Sequence, residues 1–207
     1  MPSIAKKSQE EPSFTRQEAL RTGAFWLLCA LGFLTNAVGT ALLLNHFSIM
    51  QTAGIGRSDA LHVLVLYAGV QVVVTLCTGA LLDRFEPRRL VPVAMLMLAA
   101  ATVLPALGGG VTASWLYALL LGGAYGSQQA IGAAGYAQYF GRDHLGAIRG
   151  TSFVFGIGGA AFGPLPFSAS IDLTGSYTAA LLCSTVLCLM CGTASFIVGS
   201  PVEHRRT

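Results

Sequence analysis

The chain has 207 residues, 54% of them hydrophobic and 10% charged, with a formal net charge of +3 and a mean hydropathy of +0.65. Soluble globular domains carry roughly 25% charged residues, so this composition excludes one. Basic residues are nowhere interleaved with aromatics in a patch, which excludes nucleic-acid binding.

Residues 1–22 hold Lys6, Lys7, Glu10, Glu11, Arg16, Glu18 and Arg21 and lack the apolar core and cleavage site of a signal peptide. Thr15-Arg16-Gln17-Glu18 has capping-box spacing, which predicts a helix that starts before the membrane and runs on into it. Six apolar runs follow, at 23–45, 61–82, 90–107, 115–139, 151–171 and 177–199. Each is close to the ~20 residues that cross a hydrocarbon core. No Asp, Glu, Lys or Arg lies inside any of them. Counted segment by segment from the N-terminus, the Lys and Arg residues outside the runs number 4, 1, 3, 0, 2, 0 and 2. Arg57 alone lies on the side opposite the termini, so the positive-inside rule puts both termini in the cytoplasm. The expected fold is an all-α membrane protein of six transmembrane helices. Its parts are a cytoplasmic N-terminal segment (1–22), a six-helix bundle (23–199) and a cytoplasmic tail (200–207), multi-pass in the cytoplasmic (inner) membrane, with the lipid bilayer as its solvent.

Several local signals refine this outline. Gly54-Ile55-Gly56 interrupts helical continuity in the longest connection, 46–60. Trp26 and Trp115 fall near span ends, as interfacial anchors do. Gly122-x-x-x-Gly126 and Gly159-x-x-x-Gly163 are small-x-x-x-small pairs that let helix backbones approach closely. Gly163-Pro164-Leu165-Pro166 breaks or kinks the fifth helix, because each proline removes a backbone donor. All five cysteines fall within the runs. Cys188-x-x-Cys191 has redox-pair spacing but apolar neighbours and no nearby His, and reads as packing. Neither a metal site nor a cofactor is expected.

The loop after the second run reads Gly79-Ala-Leu-Leu-Asp83-Arg84-Phe-Glu-Pro-Arg88-Arg89. A glycine one turn before an Asp-Arg pair, then a basic cluster, resembles the signature loop of the major facilitator superfamily. That loop joins the second and third helices of each six-helix half, the place it occupies here. Glu86-Pro87 departs from the usual glycine and basic residue. Phe14-Thr-Arg-Gln-Glu-Ala-Leu, Phe25-Trp26-Leu-Leu, Tyr139-Phe140-Gly141-Arg-Asp-His-Leu-Gly-Ala-Ile-Arg149-Gly150 and Asp172-Leu-Thr-Gly-Ser-Tyr177 extend the likeness. They resemble the C-terminal half of bacterial members similar to monocarboxylate transporters and oxalate–formate antiporters. The resemblance implies a 3+3 inverted repeat equivalent to helices seven to twelve of a twelve-helix carrier. It leaves open a truncated frame, a half that pairs with a separately encoded second half, and a homodimer. It also implies that Asp83, with Gly79, Arg84, Arg88 and Arg89, forms a cytoplasmic gate loop whose partners are Arg149 and the helix start at Gly150–Thr151.

Candidate substrate contacts are neutral polar side chains near span centres. Tyr67, Gln71 and Thr75 share one helical face, Tyr125, Gln128 and Gln129 sit mid-span three to four residues apart, and Asn36 with Thr40 does the same in the first run. The adjacent Gln128 and Gln129 diverge by about 100° and cannot point the same way. In the family's halves the first, second, fourth and fifth helices line the cavity. Carriers of carboxylates are expected to place an Arg or Lys there, and the runs 61–82 and 151–171 have neither. Either the cation comes from the other half or the solute is not a carboxylate. His46 and His62, at the outer ends of the first two runs, are open to protonation from outside, which permits proton coupling.

Function follows as transport of a small organic solute, including a monocarboxylate-like anion, by symport or antiport with a coupling proton or counter-solute. A non-transporting remnant or accessory membrane subunit is the alternative. An intramembrane enzyme would need a nucleophile–base pair or metal set at membrane depth, and no His, Asp or Glu lies there.

Overall fold

The computed structural model describes residues 13–107 and 110–198, where all regular structure is helical. The expected tail, 200–207, and most of the first twenty-two residues lie outside them. The helices are α1 (Arg16–Leu20), α2 (Gly23–Leu44), α3 (His46–Thr52), α4 (Arg57–Leu82), α5 (Pro87–Ala106), α6 (Val111–Ala130), a π-helical turn (Ile131–Gly135), α7 (Tyr136–Phe140), α8 (Leu145–Phe162), α9 (Pro164–Thr174) and α10 (Thr178–Ile197).

The capping box forms: Glu18 N–H donates to Thr15 Oγ1, and Thr15 N–H donates to the Glu18 carboxylate. The helix it opens does not run on into the membrane. Thr22 provides a second N-cap, accepting from Phe25 N–H at 3.3 Å, so the chain breaks between α1 and α2. A competing cap hydroxyl is the reason.

Five helical segments are long and apolar enough to cross a membrane: Gly23–Leu44, Arg57–Leu82, Pro87–Ala106, Leu145–Thr174 and Thr178–Ile197. The 22 residues of α2 reach about 33 Å, enough for a hydrocarbon core of about 30 Å. The fourth expected run is helical from α6 through α7 but falls outside this set. Gly122, Gly123, Gly126, Ser127, Gln128 and Gln129 dilute its apolar character. The connection 46–60 is not plain loop: α3 occupies its first half, and Gly54, at φ +76°, makes the turn before α4.

Packing follows a two-fold scheme. The main helix pairs are α4–α6, α2–α8 and α5–α10, with α5–α6 joining the two halves of the chain. Exchanging α2, α4 and α5 for α6, α8 and α10 converts α2–α8 into α6–α4 and returns α5–α10 to itself, while α5–α6 has a weaker counterpart in α2–α10.

Glycine closes two of these pairs. A Cβ on Gly122 would sit 2.7 Å from Tyr67 O, and one on Gly126 2.6 Å from Gln71 O. On Gly159 and Gly163 it would meet Phe33 O at 2.4 Å and Ala37 O at 2.2 Å. Backbone therefore rests directly on backbone, the close approach both sequence pairs anticipate. Gly163 also separates α8 from α9, and Pro164 and Pro166, which lack N–H donors, come directly after it. The α5–α10 pair instead packs through side chains. Thr102 and Thr185 hydroxyls hydrogen-bond at 2.8 Å, and Cys188 and Cys191 are buried free thiols in α10.

Candidate functional site

A cavity of about 300 Å³ opens among α2, the α6–π–α7 run and α8, within the usual size range for small-molecule sites. Leu28, Leu31, Ile131, Phe153 and Ile157 make its apolar wall. Its polar groups are Asn36, Tyr125, Gln128, Gln129, Tyr136, Ser152 and Arg149. Glycine gives the space: Gly32, Gly132 and Gly156 also line it. The π turn, which includes Ile131 and Gly132, adds a residue to the helical turn between Gln129 and Tyr136 and resets the register of α7 relative to α6.

Asn36 Nδ2–H donates to Gly32 O at 2.7 Å, back-bonding to its own helix and leaving its carbonyl oxygen unpaired among the described residues. Tyr136 shares a hydroxyl–hydroxyl bond with Ser152 and lies 3.9 Å from Cys29 Sγ. Arg149 lies close enough for its charge to act on Tyr136. It is the one charged side chain among the described residues lining the cavity, it is exposed to the opening, and it sits one turn before Ser152 on α8. Both glutamines border the space. Gln128 is half-buried, with Nε2 within 4 Å of where a Gly32 Cβ would stand, and Gln129 is exposed, so their divergence spreads them along a broad concavity.

The sequence candidates divide. Asn36, Tyr125, Gln128 and Gln129 line the cavity together. Tyr67 and Gln71 do not: Tyr67 packs edge-to-face on Tyr125 with ring centroids 5.8 Å apart, and Gln71 backbone O faces Gly126 at the α4–α6 crossing. Arg149, expected as a gate partner, lines the cavity. The apolar run starts at residue 151, but the helix begins at Leu145, six residues earlier, and carries Arg149 into the lining. The fifth helix therefore has the cation that the run 151–171 lacks.

At the Asp83–Glu86 loop, Asp83 caps α4 and is exposed, as are Arg84 and Arg89, while Gly79 has open space around it. Arg88 pairs with Glu86 at 2.6 Å. Among the described residues no ion pair joins Asp83 to Arg149. Two neutral side chains of α7 fasten the loop instead. Gln138 Nε2–H donates to Leu82 O at 3.3 Å, satisfying a terminal carbonyl of α4, and Arg88 N–H donates to Tyr139 Oη at 2.9 Å, satisfying an orphan donor of α5. Phe14 N–H donates to Phe140 O at 2.9 Å, and the two rings meet edge-to-face.

At the far end His46 is fully buried. Its Nε2 bonds Ala60 O at 3.0 Å, which fixes the proton there in the neutral ring, and its ring stacks on Tyr117. Burial pushes its pKa below the ordinary value, only partly offset by the Ala60 carbonyl. His46 is thus a structural fastening rather than an open proton acceptor, while His62 is exposed.

The Major Facilitator Superfamily family model matches residues 3–207. The chain belongs to the major facilitator superfamily. It is therefore a multi-pass membrane protein and a facilitator-type transporter, since the superfamily consists of transporters rather than enzymes. A comparison with curated proteins finds no match.

Proposed function

We propose that this facilitator carries a small organic anion, of the monocarboxylate class, across the cytoplasmic membrane. Arg149 in the wall of the cavity carries the reading. A guanidinium offers a planar fork that matches a carboxylate, while Asn36, Gln128, Gln129 and Ser152 offer neutral bonds and the apolar wall accepts a short carbon body. In this reading the helical run 111–140 is a sixth span and both termini are cytoplasmic. The six helices act as the C-terminal half of a two-half carrier, and Arg149 engages solute in one state and the Asp83 end in another.

The exposure of α4 and α8–α9 supports a second six-helix wall. Only 11% and 17% of their most apolar windows are buried, against 39–56% in the other three spans. A second copy or a separate half would cover them, with a proton or counter-solute as the coupling partner.

Uptake into cells expressing the chain, with labelled carboxylates of two to six carbons and neutral sugars as controls, tests the function. Carboxylate uptake lost in Arg149→Gln and kept in part by Arg149→Lys is expected. Uptake indifferent to Arg149, or confined to neutral solutes, contradicts it. Asp83→Asn is expected to change labelling of cysteines introduced beside Arg149, and unchanged labelling would remove the gate.

A further inference from the structure

Between them, α5 and α10 leave a groove of about 400 Å³. Pro92, Val93, Leu96, Leu189 and Phe196 make its walls, and Arg89 stands at one end. Gly192 withholds side-chain bulk at its floor, where a Cβ would lie 3.3 Å from Met95 Cβ. The Thr193 hydroxyl is taken up by Leu189 O and Met190 O, both at 3.0 Å. The groove therefore offers an occupant hydrocarbon contact and a single charge.

We propose that this groove binds one anionic glycerophospholipid, with its phosphate on Arg89 and an acyl chain along Val93 and Leu96. Both helices are long and apolar enough to cross a membrane, and Val93, Leu96, Leu189 and Phe196 stand exposed along the groove, a surface suited to acyl chains. Arg89 is the third residue of α5, exposed, and has no ion pair among the described residues, whereas Arg88 is held by Glu86. From Arg89 to Leu96 the helix rises about 10 Å, most of the way from the headgroup boundary to the middle of a core about 30 Å thick. A guanidinium at headgroup depth above an apolar groove between membrane helices is complementary to a lipid phosphate. A second copy docked here about a two-fold axis would bring Arg89 towards its own equivalent, a like-charge contact.

Native mass spectrometry of the purified full chain tests the site, with phosphatidylglycerol and phosphatidylcholine of the same acyl composition offered in equal amounts. Phosphatidylglycerol is expected to bind with one preferred stoichiometry. Arg89→Gln should weaken that binding about tenfold, the scale of one charge-assisted contact, and Arg89→Lys should keep part of it. Thr193→Trp, which fills an exposed edge of the groove, should weaken both lipids, and Arg16→Gln should change neither. Equal binding of the two lipids, an Arg89→Gln protein that retains phosphatidylglycerol, or an equal loss in Arg16→Gln overturns the proposal. So does a protein that binds a second copy of itself in place of lipid.

Discussion

The α2–α8 and α5–α10 seams are closed by different means and open onto different surroundings. At α2–α8, glycines bring backbone against backbone, and the space left beside the crossing is lined by amides, hydroxyls and Arg149. At α5–α10, side chains interlock around a threonine pair, and the space left is apolar except at Arg89. In a bilayer, a polar group without a partner is costly. In the proposed reading, the polar groups gathered at one seam mark where water and solute enter, and the apolar ones at the other mark where lipid stays.

The largest effect that would break this contrast comes from backbone contact. Gly163→Ala puts a Cβ 2.2 Å from Ala37 O, and should cost roughly 1–3 kcal/mol or more, seen as a lower thermal midpoint in detergent. Gly158→Ala, with nothing within 4 Å of its Cβ, should be neutral or gain the ~0.5–1 kcal/mol of helix propensity. Next, Arg149→Gln should weaken anion binding by about tenfold or more, matching the ~1.5–3 kcal/mol of a hydrogen bond to a charged group. Tyr139→Phe leaves Arg88 N–H without its acceptor. It should cost ~1–2 kcal/mol, read as faster amide exchange and protease cleavage at 83–86 with the α5–α10 seam unchanged.

At the far end the effect is one of pH. His46 is kept neutral in the folded chain, so the unfolded state takes up the proton first, near its ordinary value of about 6.5. Stability is therefore full above that value and lost as pH falls below it. The protection factors of the α3 amides, which take out the intrinsic pH dependence of exchange, should fall in mild acid, and His46→Phe should remove that fall. The smallest change is Thr102→Val, expected to cost about 0.6 kcal/mol, the average for a hydrogen bond between membrane helices.

Much of the bundle is legible in the sequence because apolar length, glycine spacing and proline position act locally. The break at Gly163, the turn at Gly54 and the two close glycine crossings need no tertiary knowledge. Hydropathy reads where a chain is apolar rather than where a helix starts, so it hides the N-terminal extension of α8 that carries Arg149. The Arg149–Ser152 spacing, one helical turn, is the available signal for a shared face. Helical periodicity groups Tyr67, Gln71 and Thr75, but the face of α4 that meets α6 is set by Gly122 and Gly126, and this takes Tyr67 and Gln71 out of the cavity lining. The π turn at Ile131–Gly135 has no periodic signature beyond its two glycines. The fastening of the Asp83 loop by Gln138 and Tyr139 joins residues more than fifty apart.

Ligand-induced thermal stabilisation of the purified chain is the most direct test of the cavity. Carboxylates of two to six carbons are set against the primary amides of the same skeletons, in wild type and Arg149→Gln. The account predicts that at least one carboxylate stabilises the wild type, that its amide does not, and that Arg149→Gln abolishes the difference. Stabilisation by acid and amide alike, unchanged in Arg149→Gln, or by none of the acids, would contradict it.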